Sequence, residues 1–314
     1  MKTNSNQPKV YLNKINENWI VDRLRSEWYS NNPSTSTKNI YRSELVWLIA
    51  SWSWQNVKPR QLAKRKVLCS VHHIDEDKFD KSESNRFFER DKYVDEYHVV
   101  SQKTASQVAK LTKKKITSIP FWVNTNIWFE ISEKRILKEK YKFHKNDYLI
   151  GSFQRDSEGH DPKQPKLSKG PDRFIEILLD MKKTNKNLHV VLTGLRRDYI
   201  VNQLVKNNIK YSYFKMVDFE AMNELYNCLD LYIVSSRYEG GPQAILECGV
   251  TRTPIISTDV GVAAEILSSE SIFDMNNFHK ALPNIEYAYS NSIKYEMKNI
   301  FKLYRKMMMG IYEN

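Results

Sequence analysis

Two glutamates, Glu239 and Glu247, stand eight positions apart and mark the segment with the most chemistry in the chain. Between them lie Gly240, Gly241 and Pro242, followed by an apolar run. An apolar stretch at 231–234 precedes this segment, and a second one at 254–257 follows it. This order predicts a strand, a loop, a helix and a strand, which is the repeating unit of a parallel sheet.

The start of the predicted helix has the chemistry of an anion site. Pro242 suits the first helical turn, because its missing N–H has no intrahelical acceptor there. The N–H groups of Gln243 and Ala244 would then point out of the helix N-terminus, which attracts phosphate. Gly240 and Gly241 let a ligand approach the backbone closely. We therefore expect these four residues to lie against a phosphate group.

The two carboxylates point to a second kind of ligand group. Glu239 precedes the predicted anion site, and Glu247 lies about two turns inside the helix. A carboxylate is repelled by a nearby phosphate, so its presence here needs another explanation. It is explained if the carboxylate accepts hydrogen bonds from the hydroxyls of a sugar. The segment thus predicts a ligand that carries both phosphate and sugar.

In its order of residues the segment 235–267 resembles the E-x7-E signature of glycosyltransferase family 4, retaining enzymes of the GT-B fold. The run TPIISTDVGVAAEIL is similar to the strand, loop and acidic residue that follow in that family, with Glu265 in the acidic place. The resemblance implies an α/β protein of two Rossmann-like domains that face each other across a cleft. It also implies that Glu247 holds ribose hydroxyls, whereas Glu239 holds the hydroxyls of the transferred sugar and acts in catalysis.

The same resemblance assigns further residues of the donor site. Arg155 follows a predicted strand and Lys169 stands in a Lys-Gly pair, and both match residues that bind the donor diphosphate in the family. The loop between them is longer than usual. Backbone atoms near Met216 and Val217 are the candidates for contact with the nucleotide base.

The first half carries the residues that the resemblance assigns to the acceptor. The run KVLCSVHH is similar to a strand that ends in a histidine at the acceptor and sugar site, which makes His72 a second catalytic candidate. The family's glycine-rich turn after the first strand is replaced here by NKINEN, without a glycine. This departure leaves Lys14 as the substitute candidate for a phosphate contact.

Length and chain order give the predicted domains. A chain of 314 residues suits two domains of about 150. We predict an acceptor-binding domain at 1–147, a nucleotide-sugar-binding domain at 148–290, and a C-terminal helix at 291–314 that crosses back to the first domain.

Charge is distributed unevenly between the halves. Residues 1–149 hold 28 Lys and Arg against 17 Asp and Glu, whereas residues 150–314 hold 21 against 20. All seven tryptophans also lie in the first half, and a basic run occupies 58–66. Basic and tryptophan side chains together suit an anionic headgroup layer, so a peripheral contact with the inner face of the membrane is one expectation. A polyanionic glycan would attract the same surface.

Other features of the sequence bear on location and cofactors. Three widely spaced cysteines, no apolar run of membrane-spanning length and a polar N-terminus predict a cytoplasmic protein. Asp75 and Asp77 form an Asp-x-Asp pair, which holds a divalent ion in metal-dependent transferases of another fold. Here the pair also fits the acidic first turn of a helix, so no metal and no cofactor are predicted.

The function predicted from these features is metal-independent, retaining transfer of a sugar from a UDP- or GDP-type nucleotide-sugar donor to a glycan or lipid-linked acceptor. Two alternatives stay open at this point. One is a sugar-nucleotide epimerase or hydrolase on the same fold. The other is a nucleic-acid-binding protein, suggested by the basic first half, although no nucleic-acid-binding motif is present and nucleic acid is not an expected partner.

Overall fold

The computed structural model describes residues 7–16, 20–159, 161 and 163–313. The chain divides into two compact units. One comprises the residues up to Pro120 together with those from Phe301 onward, and the other runs from Phe121 to Ile300. Each unit has its own parallel sheet, which confirms the predicted α/β architecture of two Rossmann-like domains.

The sheet of the first unit is wholly parallel in its described part. Its strands are β1 (Val10–Leu12), β2 (Leu45–Leu48), β3 (Lys66–Val71), β4 (Glu96–Val99) and β5 (Lys115–Ser118). They pair in the order β1-β2-β3-β4-β5. The middle strands are buried on both faces, which explains their continuous apolar runs.

Four helices of this unit connect the strands in the described ranges. They are α1 (Ile20–Asn31), α2 (Pro59–Leu62), α3 (Lys81–Asp91) and α4 (Gln102–Val108). The predicted helical place of Asp75 and Asp77 is wrong, because both precede α3, whose N-terminus is capped instead by the side chain of Asp80.

An aromatic cluster with a buried polar chain covers one face of the first sheet. The rings of Trp28 and Trp47 meet edge to face at 5.3 Å, and Tyr304 from the end of the chain packs on both. Beside them, Trp47 Nε1 donates to Ser70 Oγ, and that hydroxyl donates to Nδ1 of His98. Burial lowers the pKa of His98 to about 3, so this histidine is a neutral structural group.

The second unit also has a parallel sheet in its described part. Its strands are β6 (Tyr148–Ser152), β7 (Leu188–Thr193), β8 (Lys210–Phe214), β9 (Leu231–Val234), β10 (Ile255–Thr258) and β11 (Ile272–Phe273). They pair in the order β11-β10-β9-β6-β7-β8. The chain builds outward from β6 to β8 and then returns to the other side of β6, so β6 and β9 are neighbours.

The helices from residue 134 onward lie before, between and after these strands. They are α5 (Lys134–Lys140), α6 (Pro171–Thr184), α7 (Asp198–Lys206), α8 (Phe219–Cys228), α9 (Gln243–Val250), α10 (Ala263–Ile266), α11 (Ile285–Ser292) and α12 (Met297–Glu313). The last helix extends over the residue at which the chain rejoins the first unit.

The second unit begins earlier than the boundary predicted at residue 147. Trp128, Leu137 and Phe143 are buried in the core of the second unit. The backbone N–H of Ile131 donates to Asn227 Oδ1 at 2.8 Å, which ties this segment to α8. Residues 121–147 therefore belong to the compact body of the second sheet, because its apolar surface buries their large side chains.

The tryptophans are mostly core residues. Of the six described, five are at most 8% exposed, whereas Trp52 is 51% exposed. Those five side chains cannot contact a headgroup layer from the folded protein. The predicted contribution of the tryptophans to membrane binding is therefore wrong for these five. In the ranges that the structure describes, no helix combines the length and the apolar character needed to cross a bilayer.

Candidate functional site

The site predicted in the second half of the chain lies at the carboxyl ends of β6 and β9. In an open parallel sheet, ligands bind where two neighbouring strands send their following loops in opposite directions. The strand order places this point between β6 and β9. Loop 153–170 follows β6, and loop 235–242 follows β9, so we call the place where these two loops meet the switch site.

Lys169 and Glu239 form the central contact of the switch site. Lys169 Nζ contacts Glu239 Oε1, although the two residues are 70 positions apart in the chain. The same carboxylate oxygen accepts a hydrogen bond of 3.2 Å from Ser236 Oγ. Both charged side chains are mostly buried, with 24% and 10% exposed. Two residues selected by sequence pattern are therefore brought together, and a lysine with three N–H donors can bind a further anion as well.

The two loops are joined by backbone contacts that fix Lys169. Ser235 Oγ donates to the carbonyl of Gly170 at 2.8 Å, and the backbone N–H of Arg237 donates to the carbonyl of Ser168 at 2.8 Å. Gly170 has φ of 62°, and a Cβ there would lie 1.9 Å from the carbonyl oxygen of Ser235. The glycine of the Lys-Gly pair is thus required by both conformation and space.

A second close approach supports the loop after β9. Gly261 has φ of 50°, and a Cβ at this position would lie 1.9 Å from the carbonyl oxygen of Gly240. The loop after β10 therefore packs directly against the backbone that carries Glu239. Gly241 lies beside this contact in the same loop and is half-buried.

Arg155 and Lys166 add positive charge to the switch site. Arg155 Nε donates to the carbonyl of Ser157 at 2.8 Å, which holds the side chain close to its own loop. Burial lowers the pKa of Lys166, and the neighbouring charges of Lys169 and Arg155 lower it further, whereas Glu158 and Glu239 act in the opposite direction. Burial and the charge of Arg196 likewise lower the pKa of Arg155. A bound polyanion would relieve this repulsion between cations.

A buried ion pair anchors the base of the long loop. Arg197 is fully buried, and its Nε donates to Asp156 Oδ2 at 2.7 Å. Its Nη1 donates to the carbonyls of Ser152 and Thr193, the last residues of β6 and β7. Burial raises the pKa of Asp156 to about 6, against the lowering effect of Arg197. The pair ties the segment that carries Arg155 to the ends of two strands.

Helix α9 follows the loop that carries Glu239. It begins at Gln243, followed by Ala244, at the end where helices bind anions. Pro242 is the residue before the helix, so its predicted place in the first turn is wrong. Glu247 is the fifth helical residue and lies about one turn inside, not two, because it stands only four positions after Gln243.

Tyr226 holds the carboxylate of Glu247. Glu247 is 6% exposed, and its Oε2 accepts a hydrogen bond of 2.9 Å from the Tyr226 hydroxyl. Burial, followed by the charge of Glu247, raises the pKa of Tyr226 well above its usual value. The hydroxyl therefore stays protonated and donates to the carboxylate, which fixes one of its two oxygens.

We expect Tyr226→Phe to weaken nucleoside diphosphate binding about tenfold, because the Glu247 carboxylate loses a charge-assisted hydrogen bond that orients it. Isothermal calorimetry measures the change. Tyr213→Phe is the matched control, since it removes a tyrosine hydrogen bond to the Gly194 carbonyl and leaves Glu247 untouched. Equal affinity in wild type and Tyr226→Phe would show that the hydroxyl does not position Glu247 for a ligand.

The remaining predicted residues fall into two places. Met216 and Val217 lie in the loop between β8 and α8, as expected from the sequence, with Met216 68% exposed and Val217 packed against the core. His72 belongs to the first unit, directly after β3, and its Nε2 lies 2.9 Å from the carbonyl oxygen of Ile49. Because a carbonyl only accepts, Nε2 carries the proton and the ring is fixed.

Several residues of the switch site were missed by sequence reasoning. They are Asp156, Lys166, Arg197, Tyr226 and Gly261. Only Gly261 has a recognisable signal, because a glycine in the loop shortly after an apolar strand often marks a turn. The others act through partners that are far away in the chain, so no local pattern indicates them.

Comparisons with known proteins agree with this fold. Residues 164–306 match the family model described as glycosyl transferases group 1, a range that contains Lys169, Glu239 and Glu247. No curated protein sequence matches the chain.

Solved structures match over nearly the whole chain. HepE from Anabaena, in complex with UDP-glucose, is 12% identical, with 96% of this chain and 100% of that chain covered and a TM-score of 0.74. Sucrose-phosphate synthase from Thermosynechococcus elongatus is 14% identical, with 95% and 81% covered and a TM-score of 0.67. A glycosyltransferase from Rickettsia africae is 15% identical, with 96% and 84% covered and a TM-score of 0.65.

At these identities the structural likeness establishes the fold, which is GT-B. Together with the group 1 match in residues 164–306, it defines the class of this protein: the chain is a glycosyltransferase.

Proposed function

We propose that the chain is a retaining transferase of the family 4 type, which moves a sugar from a UDP- or GDP-type donor to a glycan or lipid-linked acceptor without a metal ion. The observation that carries this proposal is the switch site. There, Lys169 contacts the Glu239 carboxylate, Lys166 lies within electrostatic range of both, and Arg155 adds a third cation near Lys166. The loop that carries Glu239 leads directly into α9. A ligand with a diphosphate and a hydroxylated ring matches both charges.

The donor is the better supported substrate. HepE, which shares the fold, is described in complexes with UDP-glucose and with UDP. The group 1 match covers Lys166, Lys169 and Glu239 of the switch site, whereas Arg155 precedes the matched range. We therefore propose a nucleotide-sugar donor, with its diphosphate on the cations and its base near Met216 and Val217.

The proposed chemistry follows from the placement of charge. When the sugar–phosphate bond breaks, negative charge grows on the diphosphate and positive charge grows at the anomeric carbon. Arg155, Lys166 and Lys169 stabilise the first. Glu239 binds sugar hydroxyls and favours the second, while Glu247 binds the ribose hydroxyls. Attack by the acceptor on the face from which the diphosphate leaves retains the anomeric configuration.

A two-stage experiment tests this function. A thermal-shift screen across nucleotide sugars should raise the melting temperature with one or a few UDP- or GDP-sugars, because a ligand that binds the folded state stabilises it. The selected donor is then incubated with and without acceptor sugars, in the presence of EDTA, and the products are separated. We expect an α- or β-glycoside with the donor's own anomeric configuration, at an unchanged rate in EDTA.

Each result has a defined consequence. Free sugar or an epimerised nucleotide sugar as the only product, with every acceptor, would favour the epimerase or hydrolase alternative. Loss of activity in EDTA with recovery in Mn²⁺ would overturn metal independence and direct attention to Asp75 and Asp77. A product of inverted configuration would overturn the retaining mechanism.

A lipid-linked acceptor leads to a separate prediction on membranes. The side chains of Lys58, Arg60 and Lys64 are exposed, whereas Arg65 donates to Gln61 and Lys66 pairs with Asp95. Three exposed cations give about 3 kcal/mol of attraction to an anionic surface at low salt. We expect co-sedimentation with phosphatidylserine vesicles at low salt and release at high salt. Equal sedimentation with neutral vesicles would rule out this electrostatic contact.

A further inference from the structure

Trp52 is a surface tryptophan on the loop side of the first sheet, where the strands end and where open parallel sheets bind ligands. It lies in the short helical turn Ser51–Asn56, directly after β2, at the carboxyl edge of the sheet. Trp52 is 51% exposed, whereas the other described tryptophans are buried. About half of this indole is therefore available to a ligand, while the rest is covered by the protein.

The turn that carries Trp52 is held rigidly. Asn13, buried after β1, donates from Nδ2 to Ser53 Oγ at 2.8 Å, and its Oδ1 accepts from the N–H of Ile49 at 3.1 Å. The buried guanidinium of Arg90 donates to the carbonyl of Ser51 at 3.3 Å. These bonds reach the turn from two other elements, so the indole is presented on a fixed backbone.

The indole also lies beside the candidate acceptor residue. The rings of Trp52 and His72 are 5.0 Å apart at an interplanar angle of 63°. His72 is itself fixed by its hydrogen bond to the carbonyl of Ile49, the residue directly after β2. An aromatic face and an imidazole are thus held together at the carboxyl ends of β2 and β3.

We propose that Trp52 is a stacking platform for one pyranose ring of the acceptor, so that the acceptor presents a pyranoside and not only an aliphatic or peptide hydroxyl. A pyranose has an apolar C–H face bordered by hydroxyls, and an indole of similar width covers that face. Polar groups suited to the hydroxyl border lie on the same turn, where Asn56 donates from Nδ2 to the carbonyl of Lys14 at 3.2 Å. This inference rests on the proposed function, because it specifies the acceptor of that reaction.

Ligand-observed saturation-transfer NMR with methyl pyranosides of glucose, galactose and N-acetylglucosamine tests the platform directly. We expect at least one to bind the wild type, with the strongest transfer to its C–H face protons. Trp52→Ala should weaken that binding about tenfold, whereas Trp52→Phe should keep part of it. Tyr41→Ala is the matched control, because Tyr41 is an aromatic residue of the same unit, 71% exposed, that precedes β2.

The outcomes separate the platform from the donor chemistry. Equal pyranoside binding by wild type and Trp52→Ala, or no binding by the wild type, would overturn the platform. The nucleotide affinity of Trp52→Ala, measured by calorimetry with UDP and GDP, should equal that of the wild type. If neither nucleotide binds any variant while pyranosides bind through Trp52, the proposed donor fails and the platform stands.

Discussion

Glu239→Gln is expected to lower the turnover of glycosyl transfer by about 10²- to 10³-fold while nucleoside diphosphate binding changes little. The side chain is 10% exposed, and Oε1 receives contacts from Lys169 and Ser236. Glutamine keeps the shape and one acceptor oxygen but removes the negative charge that favours a positive anomeric carbon. The loss therefore falls on the transition state, and single-turnover kinetics beside calorimetry with UDP or GDP measure both quantities.

Glu247→Gln should behave in the opposite way. Glu247 is proposed to bind ribose hydroxyls, which are present before the reaction, so its variant should lose nucleotide affinity and keep a larger share of turnover at saturating donor. The Tyr226 hydrogen bond can persist to the glutamine oxygen, which limits structural damage. Equal losses of nucleotide affinity in both variants would contradict the separate roles of the two glutamates.

Much of the fold could be predicted from the sequence because both sheets are parallel and buried. The strand at 231–234 was predicted with the bounds that the structure has. Continuous apolar runs mark such strands without ambiguity of face. The unit boundary was placed too late, because Trp128 and Leu137 pack on a core formed by residues far later in the chain, and that core is not visible in their local pattern.

The candidate site was predicted only in part, and the division has a physical cause. Lys169 and Glu239 stand in short motifs whose residue types are set by local chemistry, and the structure brings them into contact. Lys166 lies in the long loop, and Arg197 is paired with Asp156 of that loop. In the sequence each is one of many cations, and its local pattern does not distinguish it. Their function depends on tertiary partners, Asp156 for Arg197 and the cation group for Lys166, which only the folded chain defines.

The first loop shows how one structural need is met by another residue. The family's glycine-rich turn is absent from NKINEN, yet Asn16 adopts φ of 62° there. Asparagine tolerates this left-handed conformation better than most residues, so the backbone can turn without glycine. The loss of the motif therefore does not require the loss of the turn, although it places a side chain where glycine would leave space.

Lys169→Ala and Arg155→Ala are each expected to weaken nucleoside diphosphate binding by about 10- to 100-fold. Each variant removes one charge-assisted hydrogen bond to the diphosphate, which contributes about 1.5–3 kcal/mol. The effect of Lys169→Ala should be the larger of the two, because it also leaves the mostly buried carboxylate of Glu239 without its lysine contact and beside a phosphate of like charge. Calorimetry with UDP and GDP measures both affinities, and thermal unfolding shows whether each variant still folds.

Lys163→Ala provides the matched control for these two variants. Lys163 lies in the same loop and has an exposed side chain, so its removal changes the net charge by the same amount without removing a residue of the switch site. If the diphosphate binds through defined contacts, Lys163→Ala keeps nearly the wild-type affinity. If binding depends only on the general positive field, all three variants weaken it alike, and the weakening disappears at high salt. Unchanged affinity in both Lys169→Ala and Arg155→Ala would overturn the donor site, because the proposed site assigns a diphosphate contact to each of these two cations.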